Sequence, residues 1–367
     1  MKILSVIGTR PEAIKMAPVV RELRRNGEVI SRVCVTAQHR RMLDQVMGLF
    51  NISPDYDLNV MEASQSPTQV AAAVLSKLEP VLRAESPDWV LIQGDTTTVL
   101  AAAIAAFYAR VKVGHVEAGL RTQDKLQPFP EEINRRMVSV AADLHFAPTR
   151  RSRDNLIREG IPGKIIRVTG NPVIDALHDA LALPYDPANG PLAGIPWDRR
   201  LILVTAHRRE NFGAPLEQIC LALRELAETY AGDVLIVYPV HPNPNVREPV
   251  QRLLGKVPGV ILMEPLDYLP LVYLMKRSTL VLTDSGGLQE EAPGLGKPVL
   301  VLREVTERPE AVEAGTVRIV GTDRMRIVNG ARLLLDNPAE YQKMARAVNP
   351  YGDGHAAERI VKALLEF

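Results

Sequence analysis

Short apolar runs alternate along this chain with longer amphipathic stretches. Runs rich in Val, Ile and Leu occupy residues 2–7, 31–36, 89–92, 111–115, 144–147 and 164–168. Between them, residues 70–82 and 97–109 carry apolar positions at helical spacing. Brief apolar runs of this kind are what parallel strands covered on both faces require. Their alternation with helices predicts a parallel sheet with right-handed crossovers. The pattern breaks over residues 181–197, where Pro, Gly, Asn and Asp cluster. A second strand–helix series follows, with strands expected at 201–205, 234–239, 259–263, 279–283 and 298–302. A turn at 349–354 leads into a final expected helix, 355–367. The predicted organisation is α/β, with two doubly wound, Rossmann-like domains. The first spans 1–180, a linker 181–200, the second 201–350, and a C-terminal segment 351–367. Open sheets of this type bind ligands at the carboxyl ends of their strands. The expected site is therefore the cleft between the domains.

Composition narrows the function classes. A length of 367 residues suits about two domains. Hydrophobic residues at 46% and charged residues at 24% fit a soluble globular protein. A formal net charge of +1 argues against a nucleic-acid binder. The longest apolar run, near 99–109, is too short and Ala-rich to span a membrane. With a first strand expected at residue 2, no signal peptide is expected, and the location expected is cytoplasmic. Cys34 and Cys220 read as buried thiols in a reducing compartment. Neither half contains Gly-x-Gly-x-x-Gly or a Walker A string, so no dinucleotide cofactor is expected. No His-Glu-x-x-His or paired Cys-x-x-Cys points to a metal. Asp55-Tyr56-Asp57 has the spacing of a metal-binding carboxylate pair but reads as a surface loop beside Pro54.

The chemistry-bearing residues sit at predicted strand ends. Gly8-Thr9-Arg10 follows the first strand, and Lys15 lies about one helical turn further on. A helix start offers unpaired N–H groups and a positive dipole end, so this turn suits an anion, most simply phosphate. In the second half, Thr283-Asp284-Ser285-Gly286-Gly287 would open a helix to close approach by a diphosphate. Glu291, further along that helix, is placed to accept both hydroxyls of a ribose. An ordinary capped helix with a solvated Glu pair is the competing reading. His207, with Arg208 and Arg209, ends the first strand of the second half and can reach phosphate oxygens. His241 holds the matching place on the next strand. The first half supplies carboxylates: Asp95 and Glu117 at neighbouring strand ends, and Glu131 beside Glu132. Carboxylates converging on a cleft act as general acid and base when their pKa values are pushed apart. Glu131 and Glu132 read equally well as first-turn acids of the following helix.

These residues lie in longer strings. GTRPEAIKMAP, QHRRMLDQV, QGDTTTVLA, HVEAGLRT, PFPEEINRR, HRREN, TDSGGLQEEAP, TERPEAVEAGT and NPYGDGHAAERI resemble, in order, those of the non-hydrolysing UDP-N-acetylglucosamine 2-epimerases. The resemblance runs from residue 8 to about residue 360. It implies a fold of the GT-B type and a C-terminal helix that returns to the first domain. The implied reaction interconverts UDP-N-acetylglucosamine and UDP-N-acetylmannosamine without a cofactor, for cell-surface polysaccharide synthesis. It implies elimination of UDP to a bound 2-acetamidoglucal, followed by re-addition. A glycosyltransferase of the same fold and a hydrolysing 2-epimerase are the alternatives. By resemblance, Asp95, Glu117, Glu131 and His207 are the catalytic set. Arg10, Lys15, Arg135, His207, Leu266, Leu271, Ser285, Gly286, Gly287, Glu291 and Arg308 are the substrate-binding set. A regulatory nucleotide-sugar site is implied at Gln38, Arg41, Glu131, Arg209 and His241. There, Arg41 and Ser64 stand where the resemblance leads one to expect Gln and Arg, so weak activation is expected. The expected partners are UDP-N-acetylglucosamine, UDP-N-acetylmannosamine, UDP and a second copy of the chain.

Overall fold

The computed structural model describes residues 1–36, 40–61 and 65–367, without the side chains of residues 40 and 41. The chain divides into two compact units. Unit 1 comprises Met1–Asp179 and Tyr351–Phe367, and unit 2 comprises Ala180–Pro350.

Unit 1 alternates strands and helices from its start. In order they are β1 (Lys2–Ile7), α1 (Arg10–Arg25), β2 (Ile30–Val35), α2 (Arg40–Leu49), β3 (Tyr56–Asp57), α3 (Pro67–Glu85), β4 (Trp89–Gln93) and α4 (Thr97–Tyr108). There follow β5 (Lys112–Val116), α5 (Glu131–Ala141), β6 (Leu144–Ala147), α6 (Arg150–Arg158), β7 (Ile166–Val168) and α7 (Pro172–Ala182). The strands form one sheet in the order β3-β2-β1-β4-β5-β6-β7, and every pairing is parallel. Leu4, Val6, Val90, Ile92 and Val113 are buried in the sheet against Val99, Ala102 and Ala106 of α4. Small residues on α4 let it lie close over the sheet, and its first turn is capped by the Thr96 hydroxyl.

Unit 2 repeats the plan. Its elements are β8 (Arg200–Thr205), α8 (Ala214–Thr229), β9 (Val234–Pro239), α9 (Pro244–Leu254), β10 (Val260–Met263), α10 (Tyr268–Arg277), β11 (Leu280–Thr283) and α11 (Gly286–Gly294). Then come β12 (Val299–Val301), α12 (Pro309–Glu313), β13 (Val317–Ile319), α13 (Arg324–Asp336) and α14 (Pro338–Ala345). The sheet order is β10-β9-β8-β11-β12-β13, again all parallel. This is an α/β architecture with two parallel sheets, as the hydrophobic pattern predicts.

Two local findings amend the expected elements, and a third concerns the last helix. Tyr56–Asp57 is not loop but an edge strand, paired with Cys34 and Val35 of β2. Asp55 there accepts from Arg32 and from the Val33 amide, so it pins the edge. The Pro- and Gly-rich segment after α7 belongs with unit 2, because its Tyr185 and Trp197 pack on Tyr273 of α10. The last helix is α15 (Ala356–Leu365), and it packs on α1 within unit 1. Asp175 of α7 accepts the amides of Ala356 and Ala357 at 3.2 and 2.9 Å, which fastens the start of α15. Cys34 and Cys220 are buried free thiols. Among the described residues, no helix is long and apolar enough to cross a membrane.

Candidate active site

In unit 1 the sheet grows one way from β1 through β2 and β3, and the other way from β4 onward. The carboxyl ends of β1 and β4 therefore flank a topological switch point, where open α/β sheets hold ligands. Gly8 ends β1. A Cβ there would lie 2.8 Å from the Thr98 hydroxyl oxygen, so glycine is what lets the turn pass over α4. Arg10 and Lys15 stand on α1 beyond this turn, both half-buried.

Glu117 follows β5 and is the most heavily tied carboxylate of the rim. Lys15 Nζ lies 2.7 Å from both of its oxygens. Asn171 Nδ2 donates to Oε1 at 2.8 Å, and Gln93 Nε2 donates to Oε2. Its backbone is left-handed, with φ at +64°. A non-glycine residue in that region stores strain that the surrounding bonds must offset. Asp95 follows β4 after Gly94, whose φ of +86° suits glycine. Glu117 Oε2 lies 3.8 Å from where a Gly94 Cβ would be, so the two carboxylate positions adjoin. Arg135 of α5 pairs with Asp95 Oδ2 through Nε at 2.8 Å and a terminal nitrogen at 2.7 Å. Glu131 opens α5, half-buried, one turn before Arg135. Its neighbour Glu132 is fully buried and holds Arg135 at 3.2 Å and the amides of Thr122 and Gln123.

Glu12 is a buried acid beneath this rim. It accepts from the Gly8 amide at 2.5 Å and from the hydroxyls of Thr9 and Thr96 at 3.0 and 2.8 Å. Burial pushes its carboxyl up to about 7 against the lowering effect of those hydrogen bonds.

Unit 2 has its own switch point, between β8 and β11. Ser285 precedes α11 without a side-chain cap, so the first amides of the helix are left to a ligand or water. The Arg308 and Arg208 guanidiniums come within 3.8 and 3.9 Å of where a Gly286 Cβ would lie. Two cations thus face an uncapped helix start, an arrangement that favours a diphosphate. Arg308 is buried and is held by the fully buried Glu290. Glu291 is buried too, and Tyr268 donates to its Oε1 at 2.7 Å. Leu266 is buried just before α10, and Leu271 is half-buried on α10. His207 is half-buried after β8, and its ring stacks on His241 with centroids 5.4 Å apart. Burial first, and the neighbouring His207 second, lower the pKa of His241. Arg209 and His241 are exposed. Gln38 and Ser64 lie outside the described residues, as does the Arg41 side chain.

Sequence reading missed Gln93, Asn171, Tyr268 and Glu290, and it named Glu132 without its anchoring role; each holds a candidate site residue. Gln93 and Asn171 carried a signal, since one ends β4 and the other closes the turn between β7 and α7. The others act through contacts that no local pattern displays.

The comparisons with known proteins agree with one another. A family model described as "UDP-N-acetylglucosamine 2-epimerase" matches residues 21–365. The UDP-N-acetylglucosamine 2-epimerase of Escherichia coli (strain K12) is 56% identical over 371 residues, covering 99% of this chain and 98% of that protein. The UDP-GlcNAc 2-epimerase of Neisseria meningitidis, solved bound to UDP-GlcNAc, is 51% identical with a TM-score of 0.92 over 100% of both chains. That of Methanocaldococcus jannaschii, solved with UDP-GlcNAc and UDP, is 34% identical with a TM-score of 0.84, again over 100% of both chains. A glycotransferase at 12% identity and a TM-score of 0.68 shares the fold, which is GT-B-like.

Proposed function

The chain belongs to the UDP-N-acetylglucosamine 2-epimerase family, and on that premise we propose that it interconverts UDP-N-acetylglucosamine and UDP-N-acetylmannosamine by eliminating and re-adding UDP. The observation that carries this reading is the rim of unit 1, where Glu117 and Asp95 adjoin and each is paired with a cation. The C2 proton of the sugar is not α to a carbonyl, so its removal needs a departing group on C1. The C1–O bond breaks and its electron pair leaves with the diphosphate. The C2–H pair becomes the C1–C2 double bond, and the proton passes to a carboxylate. Return of UDP, with a proton delivered to the opposite face of C2, gives the epimer. The Asp95 side chain is 26% exposed and paired with Arg135 through Oδ2, whereas Glu117 is 4% exposed and Lys15 lies on both of its oxygens. Asp95 is therefore the better proton acceptor in this arrangement, with Glu117 holding Lys15 in place. Glu131 is the third candidate for proton transfer. In unit 2, the α11 start, Arg208 and Arg308 would stabilise charge on the departing diphosphate. Glu291 would accept the ribose hydroxyls, and His207 would face a phosphate oxygen.

One NMR time course tests the reading. UDP-N-acetylglucosamine alone should yield UDP-N-acetylmannosamine carrying one solvent deuterium at C2, with no free UDP accumulating. Accumulating UDP and free sugar would identify a hydrolysing enzyme. Product without deuterium would remove the elimination route.

Three further parts of the reading concern setting. We place the protein in a reducing, cytoplasmic compartment, consistent with its buried thiols; isolation from a secreted fraction would overturn this. We assign it a homodimer through α4 and α5, which pack together and expose Phe107, Tyr108, Met137 and Val140. Val140 is 84% exposed, which is unusual for a large apolar residue on an ordered helix. Light scattering should give twice the chain mass, and Val140→Glu should give the monomer. Finally, the uncharged Ser64 suits a diphosphate poorly, so activation by UDP-N-acetylglucosamine should be weak. The reaction started from pure UDP-N-acetylmannosamine should begin without a lag, and a lag abolished by added UDP-N-acetylglucosamine would refute this.

A further inference from the structure

Asp284 directly follows β11 and is fully buried. The register of β8 with β11 sets Thr283 opposite Thr205, and the Asp284 amide donates to the Thr205 carbonyl at 3.1 Å. This brings its carboxylate beneath the turn that follows β8. One oxygen is fully engaged: Oδ2 accepts the amides of His207 and Arg208 at 2.7 and 2.8 Å and Nδ2 of Asn211 at 3.0 Å. These bonds shape the turn. The other oxygen is different. Among the described residues, Oδ1 accepts no hydrogen bond, although it is buried from solvent. An unsatisfied buried carboxylate oxygen is destabilising, so a structural role alone does not account for it. The ring nitrogen facing it is His207 Nδ1, at 3.6 Å. That is longer than a hydrogen bond, and donor–acceptor pairs of catalytic sites tighten when substrate binds.

We propose that Asp284 is the positioning residue for His207: Oδ1 accepts the Nδ1–H of the ring and supports the doubly protonated imidazolium, whose Nε2–H donates to a diphosphate oxygen of the nucleotide. The inference deepens the reading of His207 as a phosphate-facing group and rests on it. When the ring is neutral, the carboxylate selects one tautomer by accepting from one nitrogen only. Stacking on His241 restrains the ring plane. Arg208 and Arg308, the cations near the α11 start, supply charge but cannot choose between the two ring nitrogens. Asp284→Asn is the informative change. The amide oxygen can take the place of Oδ2 and keep the three donors that shape the turn. The amide NH2 then faces Nδ1, which must become an acceptor; the single ring proton moves to Nε2, which still donates to a phosphate oxygen, but the ring can no longer be held as an imidazolium.

The test uses the full-length protein with 15N-labelled histidine. Above the titration of the ring, His207 should carry its proton on Nδ1 in the wild type and on Nε2 in Asp284→Asn. Turnover should separate from binding. kcat should fall about 10²–10⁴-fold, the scale of losing the carboxylate behind a working imidazole. KM, and the dissociation constant for UDP, should stay within about threefold. Asp284→Glu should recover part of kcat. A wild-type ring protonated on Nε2 overturns the proposal. So does a folded Asp284→Asn variant that keeps kcat within threefold. If that variant does not fold, the wild-type tautomer decides alone. A wild type with the expected tautomer that converts no UDP-N-acetylglucosamine overturns the epimerase reading and leaves the Asp284–His207 pairing standing.

Discussion

The two switch points occupy the same topological place and carry opposite chemistry. In unit 1 the rim is acidic, and cations arrive from helices: Lys15 from α1 to Glu117, and Arg135 from α5 to Asp95. In unit 2 the acid is withdrawn below the rim, and Arg208 and Arg308 attend an uncapped helix start. A single inserted residue accounts for much of the contrast. After β4, Gly94 with its positive φ intervenes, and the Asp95 side chain emerges 26% exposed. After β11, Asp284 follows at once, and its side chain is 0% exposed. The first carboxylate stands open at the rim, while the second is enclosed by its own turn and faces His207. The position of an acid relative to the strand end, and not the fold, decides whether it meets a ligand.

The largest effect should come from removing the acidic character of unit 1. Asp95→Asn, Glu117→Gln and Glu131→Gln should each lower kcat about 10²–10⁴-fold, the range for losing a general acid or base. Binding of UDP itself should barely change, since the nucleotide belongs to unit 2 in this reading. Three variants at near wild-type rates would erase the proposed division between acid–base chemistry and anion binding.

Next in size is a difference in acid sensitivity. His115 and His145 stand opposite each other on β5 and β6, both buried. Burial pulls them down to about 4 and about 3, helped at His145 by the nearby His115. Both rings are neutral in the folded and unfolded chain above the ordinary histidine value near 6.5. As pH falls below it, the unfolded chain takes up protons that the folded chain refuses, so stability is lost. At pH 5 each ring costs about 2 kcal/mol. Hydrogen exchange, corrected for its intrinsic pH dependence, should show β5 and β6 losing protection between pH 7 and pH 5. His145→Leu should remove about half of that loss. Equal loss in the unit 2 sheet, or no change in the variant, would show that these rings do not set the difference.

How much of this contrast is legible in the chain follows from where each interaction runs. Central strands such as β4 and β8 announce themselves as unbroken apolar runs. The edge strand β3 has two residues, one of them Asp57, and β13 contains the half-buried Arg318. Neither carries the pattern of a strand covered on both faces. Asp95, Glu117, His207 and Gly286 draw attention as candidates because acids, imidazoles and glycines at strand ends have few other uses. Asp284 lies within the Thr283–Gly287 motif, but no local pattern assigns it a role, since its partners follow β8 and come close only through sheet register. Glu132 stood beside Glu131 with nothing local to tell a fully buried anchor from a half-buried neighbour.

A third change tests the nucleotide side. Glu291→Gln removes a charge from a group expected to accept the ribose hydroxyls. Loss of one charge-assisted hydrogen bond costs about 1.5–3 kcal/mol, or roughly 10- to 100-fold in the dissociation constant of UDP by calorimetry. The rim of unit 1 should be untouched, so kcat at saturating substrate should fall far less than in the Asp95 variant. An unchanged UDP affinity would detach Glu291 from the nucleotide, leaving its bond from Tyr268 as its role.

The smallest effect is expected at Glu12, and its sign is the useful part. Its folded value of about 7 lies above the ordinary carboxyl value of 4.5. The folded protein therefore keeps a proton that the unfolded chain gives up, and stability declines as pH rises from 4.5 through 7. This opposes the slope of the histidine pair in the same unit. Glu12→Gln substitutes a neutral group of the same shape for an acid that is mostly protonated at pH 6. The Thr9 and Thr96 hydroxyls can turn to accept from the new amide, so the cost at pH 6 should stay within about 1 kcal/mol. Between pH 6 and pH 8.5 the wild type goes on losing stability and the variant does not. The balance should move toward the variant by about 1 kcal/mol. Denaturant melts at the two pH values measure that difference directly. A variant that loses ground at the higher pH would mean that Glu12 is held there as a carboxylate by the Gly8 amide and the two hydroxyls. Unit 1 would then keep a buried negative charge under its acidic rim, much as unit 2 keeps Asp284.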